Sequence, residues 1–388
     1  MTTRSPLSWN AKGNEVGPCA MGAFNGLAFD AHQTWAFWRA EAVGVTEGPF
    51  RCANGTRATM ISARTLPPRL WGVERMMALV DGALAELVAP LTGFRGDTRL
   101  GLWLGLPERY GAEASKSQGA ERRRLEGHVK QWCARNAGDA PVIGVPRGHA
   151  SLAFALAEAC AEVAAGQLEA AIVGGVDTYH APEVMDELME QARLFDGENV
   201  DSLIPGEGAA FLLITRARTA KSVGLSLMAR VESVGMAQES GSLFSDTPCT
   251  GTGLTQAMRA ATALQSAAGQ RLEWLLGDVN NEPHRIEEFQ LALPRAMAPG
   301  GMAGGKDYRP VAVEDLPIDL LPLRFGDLGA ATLPTAAVLA SQAFLRGAPA
   351  ATSCLCVGSS LGPDRGAVLL RAVMGGEAGR QRPTGLVP

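Results

Sequence analysis

PVIGVPRGHASLAFALAEACAEVAAGQLEAAIVGGVD, residues 141–177, decides the fold. PVIGV (141–145) predicts a buried strand. Arg147, Gly148, His149 and Ala150 predict a tight turn. A helix rich in Ala and Leu then runs from His149 to about Gly166, and EAAIVGGVD (169–177) predicts a second buried strand. A chain that turns so sharply into a helix often carries a nucleophile at the helix start. Here the first helical position holds neither Cys nor Ser.

Outward from this unit, strands and helices alternate along the whole chain. In the first half, CAMGAFNGLAF (19–29) opens an apolar stretch. Helices are expected at 32–42, 70–91 and 115–138, and strands at 99–107 and 206–217. A second half of similar content starts near Leu225, with helices at 251–269, 284–296 and 328–347 and a strand at 272–280. ATSCLCVGSSLG and RGAVLLRAV close it as a pair of strands. Such alternation implies a mainly parallel sheet covered on both faces. Two such halves, 1–220 and 221–388, imply an α/β fold of two pseudo-symmetric βαβαβαββ halves in five layers, α/β/α/β/α. Residues 297–318, rich in Gly, Pro and Asp, read as an exposed insertion or lid.

With 388 residues the chain can bury a sizeable core. Apolar residues make up 46% and charged residues 19%, as in ordinary globular proteins. The net charge of −5 and a pI near 5.7 argue against broad binding to nucleic acid or anionic membranes. No signal peptide and no stretch of membrane-spanning length are legible, so the expected compartment is the cytoplasm. The run Arg122–Arg124, among Glu121, Glu126 and Lys130, reads as a solvated helix face; the alternative is a docking patch for an acidic partner. Seven scattered cysteines read as reduced, mostly core thiols, with Cys354 and Cys356 on one face of a strand. No metal site is expected. Trp35 and Trp38 read as core anchors. Glu287 and Glu288 are adjacent on a helix, so they face different ways and make no acid/base pair.

Several segments, taken in order, resemble the β-ketoacyl synthases of the thiolase-fold superfamily. LFDGENVD leads into DSLIPGEGAAFLLITRARTAKSVG (201–224), which resembles the Gly-Glu-Gly-Ala turn and buried strand of those enzymes. GQLEAAIVGGVD (166–177) resembles their segment beyond the nucleophile, LGAATLPTAAVLASQAFLRG their Gly-Ala-Ala helix, and SSLGPDRGAVLLRA (359–372) their closing Gly-rich turn and strand. The stretch QTWAFWRAEAVGV resembles their opening. The resemblance covers most of the chain. It implies a thiolase-like fold, dimerisation, no cofactor, and thioesters of acyl carrier protein or coenzyme A as the molecules handled.

That family uses a Cys at a helix N-terminus, where the dipole favours the thiolate, and two His that support decarboxylation and the oxyanion. Aligned on Gly166 and Gly174, the Cys position falls on His149, or on Gly148 or Ala150 with a one-residue slip. Cys160 lies far down the same helix and reads as a core thiol. The first His position falls near Asn281 or Glu282, with His284 close by but outside the motif; the second falls on Gly326 or Asp327. The Phe-containing gate of the family reads Leu361, Gly362 and Pro363. The resemblance therefore assigns His149, Glu282 and Asp327 as positional equivalents of the catalytic set, and Gly148, Ser151, His284, Gly326 and Gly362 as binding positions.

Losing one member of a catalytic unit can cost about a million-fold in turnover. The expectation is a synthase-like protein that has lost condensation and acts as a non-catalytic acyl- or partner-binding homologue in fatty-acid or polyketide-type metabolism, as a homodimer or as a heterodimer with a synthase. Two alternatives stay open. One is a divergent acyltransferase or thioester-acting enzyme with a non-standard site, including acylation of His149 itself. The other is an adaptor or ligand-binding protein on the same scaffold. At the helix start, the His149 ring is expected to donate to a backbone carbonyl.

Overall fold

The structure, a computed structural model, describes residues 7–373 apart from 12, 14, 95–97, 269 and 299–314. Its strands are β1 (Leu7–Asn10), β2 (Val16–Asn25), β3 (Thr46–Arg51), β4 (Arg57–Met60), β5 (Leu100–Gly105), β6 (Val142–Val145), β7 (Ala170–Thr178), β8 (Glu207–Arg216), β9 (Arg230–Gln238), β10 (Leu275–Gly277), β11 (Ile318–Leu320), β12 (Ser353–Ser359) and β13 (Asp364–Arg371). One sheet has the order β2-β8-β7-β5-β6, the other β1-β9-β13-β12-β10-β11.

Without β1 the two sheets share one topology. In each, the first strand of the half pairs antiparallel with the fifth and the fifth antiparallel with the fourth. The fourth then pairs parallel with the second, and the second with the third. β1 is the exception: it precedes the first sheet in sequence but pairs antiparallel with β9 of the second.

Two helices, Ser151–Ala165 and Thr332–Arg346, lie between the sheets. Their Leu152, Leu156, Leu333 and Leu339 pack with Leu212 and Ile214 of one sheet and Val234 and Val368 of the other. On the far side of the first sheet, Phe211 and Leu213 meet Met76, Leu79 and Val80 of the Gly72–Ala85 helix. Leu355 and Leu369 of the second sheet meet Leu254 and Met258 of the Thr252–Ala267 helix. β8 thus sends alternate residues to opposite faces, both buried, so its FLLI run is continuously apolar. The result is the five-layered α/β/α/β/α arrangement expected from the sequence, but the sheets are mixed and not mainly parallel, because the first and last strands of each half pair antiparallel.

Several boundaries differ. The helix expected over 70–91 stops at Ala85 and resumes as the short turn Val88–Leu91. Pro90 explains the break, because its ring would clash with the carbonyl four residues earlier, at Glu86. The helix expected over 32–42 spans Ala31–Arg39, ending before Glu41 at φ 54°. The strand expected over 272–280 shrinks to three residues. The β3–β4 hairpin and the Pro182–Glu190 helix have no counterpart in the sequence reading. Of the insertion expected at 297–318, residues 299–314 lie outside the described residues, and Ile318 already belongs to β11.

Smaller expectations can be placed as well. Arg122 pairs with Glu126 at 2.8 Å and Arg124 with Glu74 at 3.0 Å, both on a solvated helix face. The Cys354 and Cys356 thiols are buried with sulfurs 4.0 Å apart. Trp38 is buried against Trp274, whereas Trp35 is half-buried beneath the Arg346 guanidinium. Glu287 is exposed, and Glu288 is buried on Arg365 at 2.6 Å. No single described helix is long and apolar enough to cross a membrane.

Candidate functional site

The two central helices start face to face. Each opens with one 3-10 turn, Gly148–Ala150 and Gly329–Ala331, whose first glycine has φ near 50°. That conformation strains any residue with a Cβ. Gly358, in β12, lets the His149 carbonyl approach: a Cβ there would fall 2.7 Å from that oxygen. Gly175, in β7, does the same for the Ala330 carbonyl.

The GEGA segment sets the depth of the second turn. Gly206 donates its N–H to the Asp327 carbonyl at 2.9 Å, and Asp327 N donates to Ile204 O at 2.8 Å. Glu207 next to it is buried and held bidentately by Arg75, at 2.6 and 2.7 Å, with Thr178 donating at 2.7 Å. The motif therefore anchors the backbone that carries Asp327.

Asp327 is the hub. Its Oδ1 accepts from His149 Nε2 at 2.8 Å, Tyr179 OH at 2.9 Å and Gly329 N at 2.9 Å; its Oδ2 accepts from Asn280 Nδ2 at 2.8 Å. Burial alone would raise this carboxyl group's pKa. His149, Arg285 and the Gly329 N–H outweigh it and hold the group well below the carboxylate range. The Tyr179 hydroxyl is raised well above its ordinary value by burial, then by Asp327, so it stays a donor.

Further buried charges surround the hub. Arg285 NH1 donates to Asp278 Oδ2 at 2.9 Å and to Ser359 O at 2.7 Å. Its NH2 is 3.3 Å from both ring nitrogens of His149, so it lies over the ring face and along neither lone pair. Arg193 grips Glu282 at 2.6 and 3.2 Å, and Asn280 bridges Glu282 to Asp327. Burial opposes ionisation of Glu282, but Arg193 and Arg285 lower its pKa overall. His284 is half-buried beside Arg285; burial, then that charge, lowers its pKa to about 4.

A cavity of about 430 Å³ opens onto this network at Gly148, His149, Tyr179 and Gly329. Its wall also carries Arg109, which donates to Asp177 Oδ1 at 3.2 Å. At the mouth, Glu108 accepts from Leu361 N and Gly362 N, each at 2.9 Å, which ties the two halves together. No cysteine lines it among the described residues. Cys160 is fully buried, its thiol pushed far up by desolvation.

The structure thus brings His149 and Asp327 into direct contact and joins Glu282 to them through Asn280. It corrects the partner expected for the His149 ring, which is a carboxylate and not a backbone carbonyl, because Asp327 is carried in from the other half. Gly148 and Gly362 line the cavity. Ser151, His284 and Gly326 do not. Ser151 donates to Val145 O at 2.9 Å and accepts from Arg147 N at 3.1 Å, closing the turn from within. Gly326 packs on Gly206 with φ 70°. Asn281, the other candidate beside Glu282, is exposed.

Sequence reading passed over Glu108, Arg109, Tyr179, Arg193, Asp278, Asn280 and Arg285. The usable signal was position. Asp278 directly follows a buried strand, with Asn280 two residues on, and Tyr179 directly follows another, where open α/β sheets place their ligand contacts.

No family model and no curated protein sequence matches the chain. Solved structures do match. AntDE:AntF, a type II polyketide synthase acyl-carrier protein in complex with its ketosynthase bound to the hexaketide, aligns with a TM-score of 0.74 at 11% identity, over 93% of this chain and all of that one. The ishigamide ketosynthase/chain length factor gives 0.71 at 14% identity, again over 93% and 100%. An oxazolomycin ketosynthase domain from Streptomyces albus gives 0.66 at 16% identity, over 93% of this chain and 74% of that one. The chain has the thiolase-like fold that these ketosynthases and chain length factors share.

Proposed function

We propose that this protein is a β-ketoacyl synthase-like protein that does not perform condensation and instead holds an acyl thioester, or shapes the acyl site of a partner, in polyketide- or fatty-acid-type metabolism. One observation carries the reading. At the central helix start facing the cavity stands an imidazole locked to a buried carboxylate, where a condensing enzyme needs a sulfur nucleophile facing two imidazoles. The positions of Glu282 and Asp327 are filled by ionised side chains that accept hydrogen bonds and cannot donate them to an oxyanion.

The comparison proteins act with an acyl-carrier protein or as a ketosynthase/chain length factor pair. By analogy, this chain takes acyl carrier protein or coenzyme A thioesters, works in the cytoplasm, and pairs with a second copy or with a synthase homologue. β6 supplies an edge for that pairing: it ends the first sheet and leaves Ile143 37% exposed. We read the two halves as dividing near residue 220.

The test is incubation of the purified protein with malonyl and acyl thioesters of acyl carrier protein, with condensation products and complex formation read separately. Binding without a condensed product is expected. A 3-oxoacyl product formed by this chain alone overturns the proposal.

A further inference from the structure

We propose that the His149–Asp327 pair is a general-base dyad that hydrolyses the acyl thioester held in the cavity; this rests on the reading that the cavity takes such thioesters. Four donors converge on Asp327, which therefore acts only as an acceptor. Its bond from His149 Nε2 fixes the tautomer: in the neutral ring the proton sits on Nε2 and the lone pair on Nδ1. Arg285 NH2, 3.3 Å from Nδ1 and from Nε2 alike, lies over the ring face and out of line with that in-plane lone pair, and no other donor reaches Nδ1 among the described residues. His149 itself lines the cavity.

This is the arrangement in which a carboxylate orients an imidazole to take a proton from a nucleophile. The one hydroxyl on the cavity lining among the described residues, Tyr179 OH, is engaged as a donor to Asp327 Oδ1, and no thiol lines it, so the nucleophile is water. Water oxygen bonds to the thioester carbonyl carbon while its proton passes to Nδ1. The tetrahedral intermediate then breaks its C–S bond, and the departing sulfur takes the proton back from His149. A carboxylic acid and a free thiol result, with no other reactant consumed. Arg109, on the same lining, has NH2 shared between Asp177 Oδ1 and Thr178 O, and its Nε and NH1 carry no hydrogen bond among the described residues. Those N–H groups are the donors available to the developing oxyanion.

The experiment uses the full chain and a short-chain acyl thioester of pantetheine. Thiol release is followed with a chromogenic disulfide, and binding is measured independently with the non-hydrolysable thioether analogue. Wild-type protein is expected to release thiol and acid, and in ¹⁸O-water the acid gains one ¹⁸O from solvent. His149→Gln is expected to keep analogue affinity within about two-fold while its turnover falls by about 100-fold or more, the usual contribution of a positioned base. Analogue binding without thiol release from wild type overturns the hydrolysis and leaves the thioester-binding reading standing. Failure to bind the analogue overturns both. Acyl mass retained on His149 makes it a nucleophile and overturns the general-base assignment. Circular dichroism checks the variant's fold, and the ¹⁸O result tests water attack without any variant.

Discussion

Asp327→Asn is the sharpest perturbation of the site. Three donors, from His149, Tyr179 and Gly329, meet at Oδ1, so the amide oxygen must occupy that place. The amide nitrogen then faces the Asn280 amide nitrogen, donor against donor, where 2.8 Å now separates Oδ2 from it. Asn280 cannot escape by flipping. Its Oδ1 already accepts from Glu282 N at 2.9 Å, and its Nδ2 donates to Glu282 Oε2. One charge-assisted hydrogen bond is lost and one buried donor is stranded, each about 1–3 kcal/mol. The charge facing Arg285 also disappears. A cost of about 3–5 kcal/mol follows, the range for breaking a buried ionic partner. Urea unfolding read by tryptophan fluorescence measures it as a fall in midpoint at constant slope. A loss below about 1 kcal/mol would refute the claim that Asp327 is the hub, and with it the fixed tautomer of His149.

Other outcomes follow from the same geometry. His284 titrates near 4 in the fold and near 6.5 ordinarily, so the unfolded chain binds the proton first as pH falls. Its contribution is full above about pH 6.5 and is lost toward pH 4, at most about 3 kcal/mol at 1.4 kcal/mol per unit; His284→Gln should flatten that stretch of the stability-pH curve relative to wild type, and parallel curves would count against it. Under native conditions iodoacetamide should modify Cys249, the one half-exposed thiol among the described residues, before buried Cys19, Cys133 and Cys160, whose thiols burial pushes up; early labelling of Cys160 by peptide mass mapping would contradict the packing. Ile143→Lys places a charge on the β6 edge and should shift the protein to a smaller species in light scattering. An unchanged mass would move the pairing surface elsewhere.

The layers were legible because period and burial agree. FLLI in β8 and AAIVGGV in β7 are apolar on both faces, and β7 follows a helix that Gly166 stops. His149 and Asp327 were reached only through the family resemblance, by alignment on Gly166 and Gly174 and on the Gly-Ala-Ala helix, with Gly148, Ala150 and Gly326 as neighbouring choices. Boundaries failed where tertiary contacts set them. β1 joins the second sheet through a pairing that no local pattern encodes, and β10 ends at Gly277, after which Asp278 and Asn280 enter the charged network. The side-chain network was illegible for a related reason. Arg285 stands in a helix whose sequence, PHRIEEFQ, gives no sign that the guanidinium is buried. Its burial depends on carboxylates from Asp278, beyond β10, and from Asp327, in the loop before the second central helix.

The duplicated topology explains why the site has one chemical centre and not two. The interval from Gly148 to Gly329 is also the interval from Gly166 to Gly347, the C-terminal caps of the two central helices, so the halves keep register along that whole element. Within it, Gly-His-Ala-Ser in the first half answers to Gly-Ala-Ala-Thr in the second. Each helix start is capped by the opposite half. Asp177, at the end of β7, accepts from Ala330 N at 3.1 Å, and Ser360, just beyond β12, accepts from Ala150 N at 3.2 Å. These reciprocal caps are a structural use of both helix N-termini, and they hold the two turns at fixed separation. Only the first turn presents a reactive side chain; Ala330 at the matching place has none. The second half contributes what that imidazole lacks, the Asp327 carboxylate from two residues before its turn, where the register puts Pro146 in the first half. Neither half alone holds the pair, so the spacing of the two turns sets the His149–Asp327 distance. A disturbance of either cap should be felt at the imidazole before it is felt in the core.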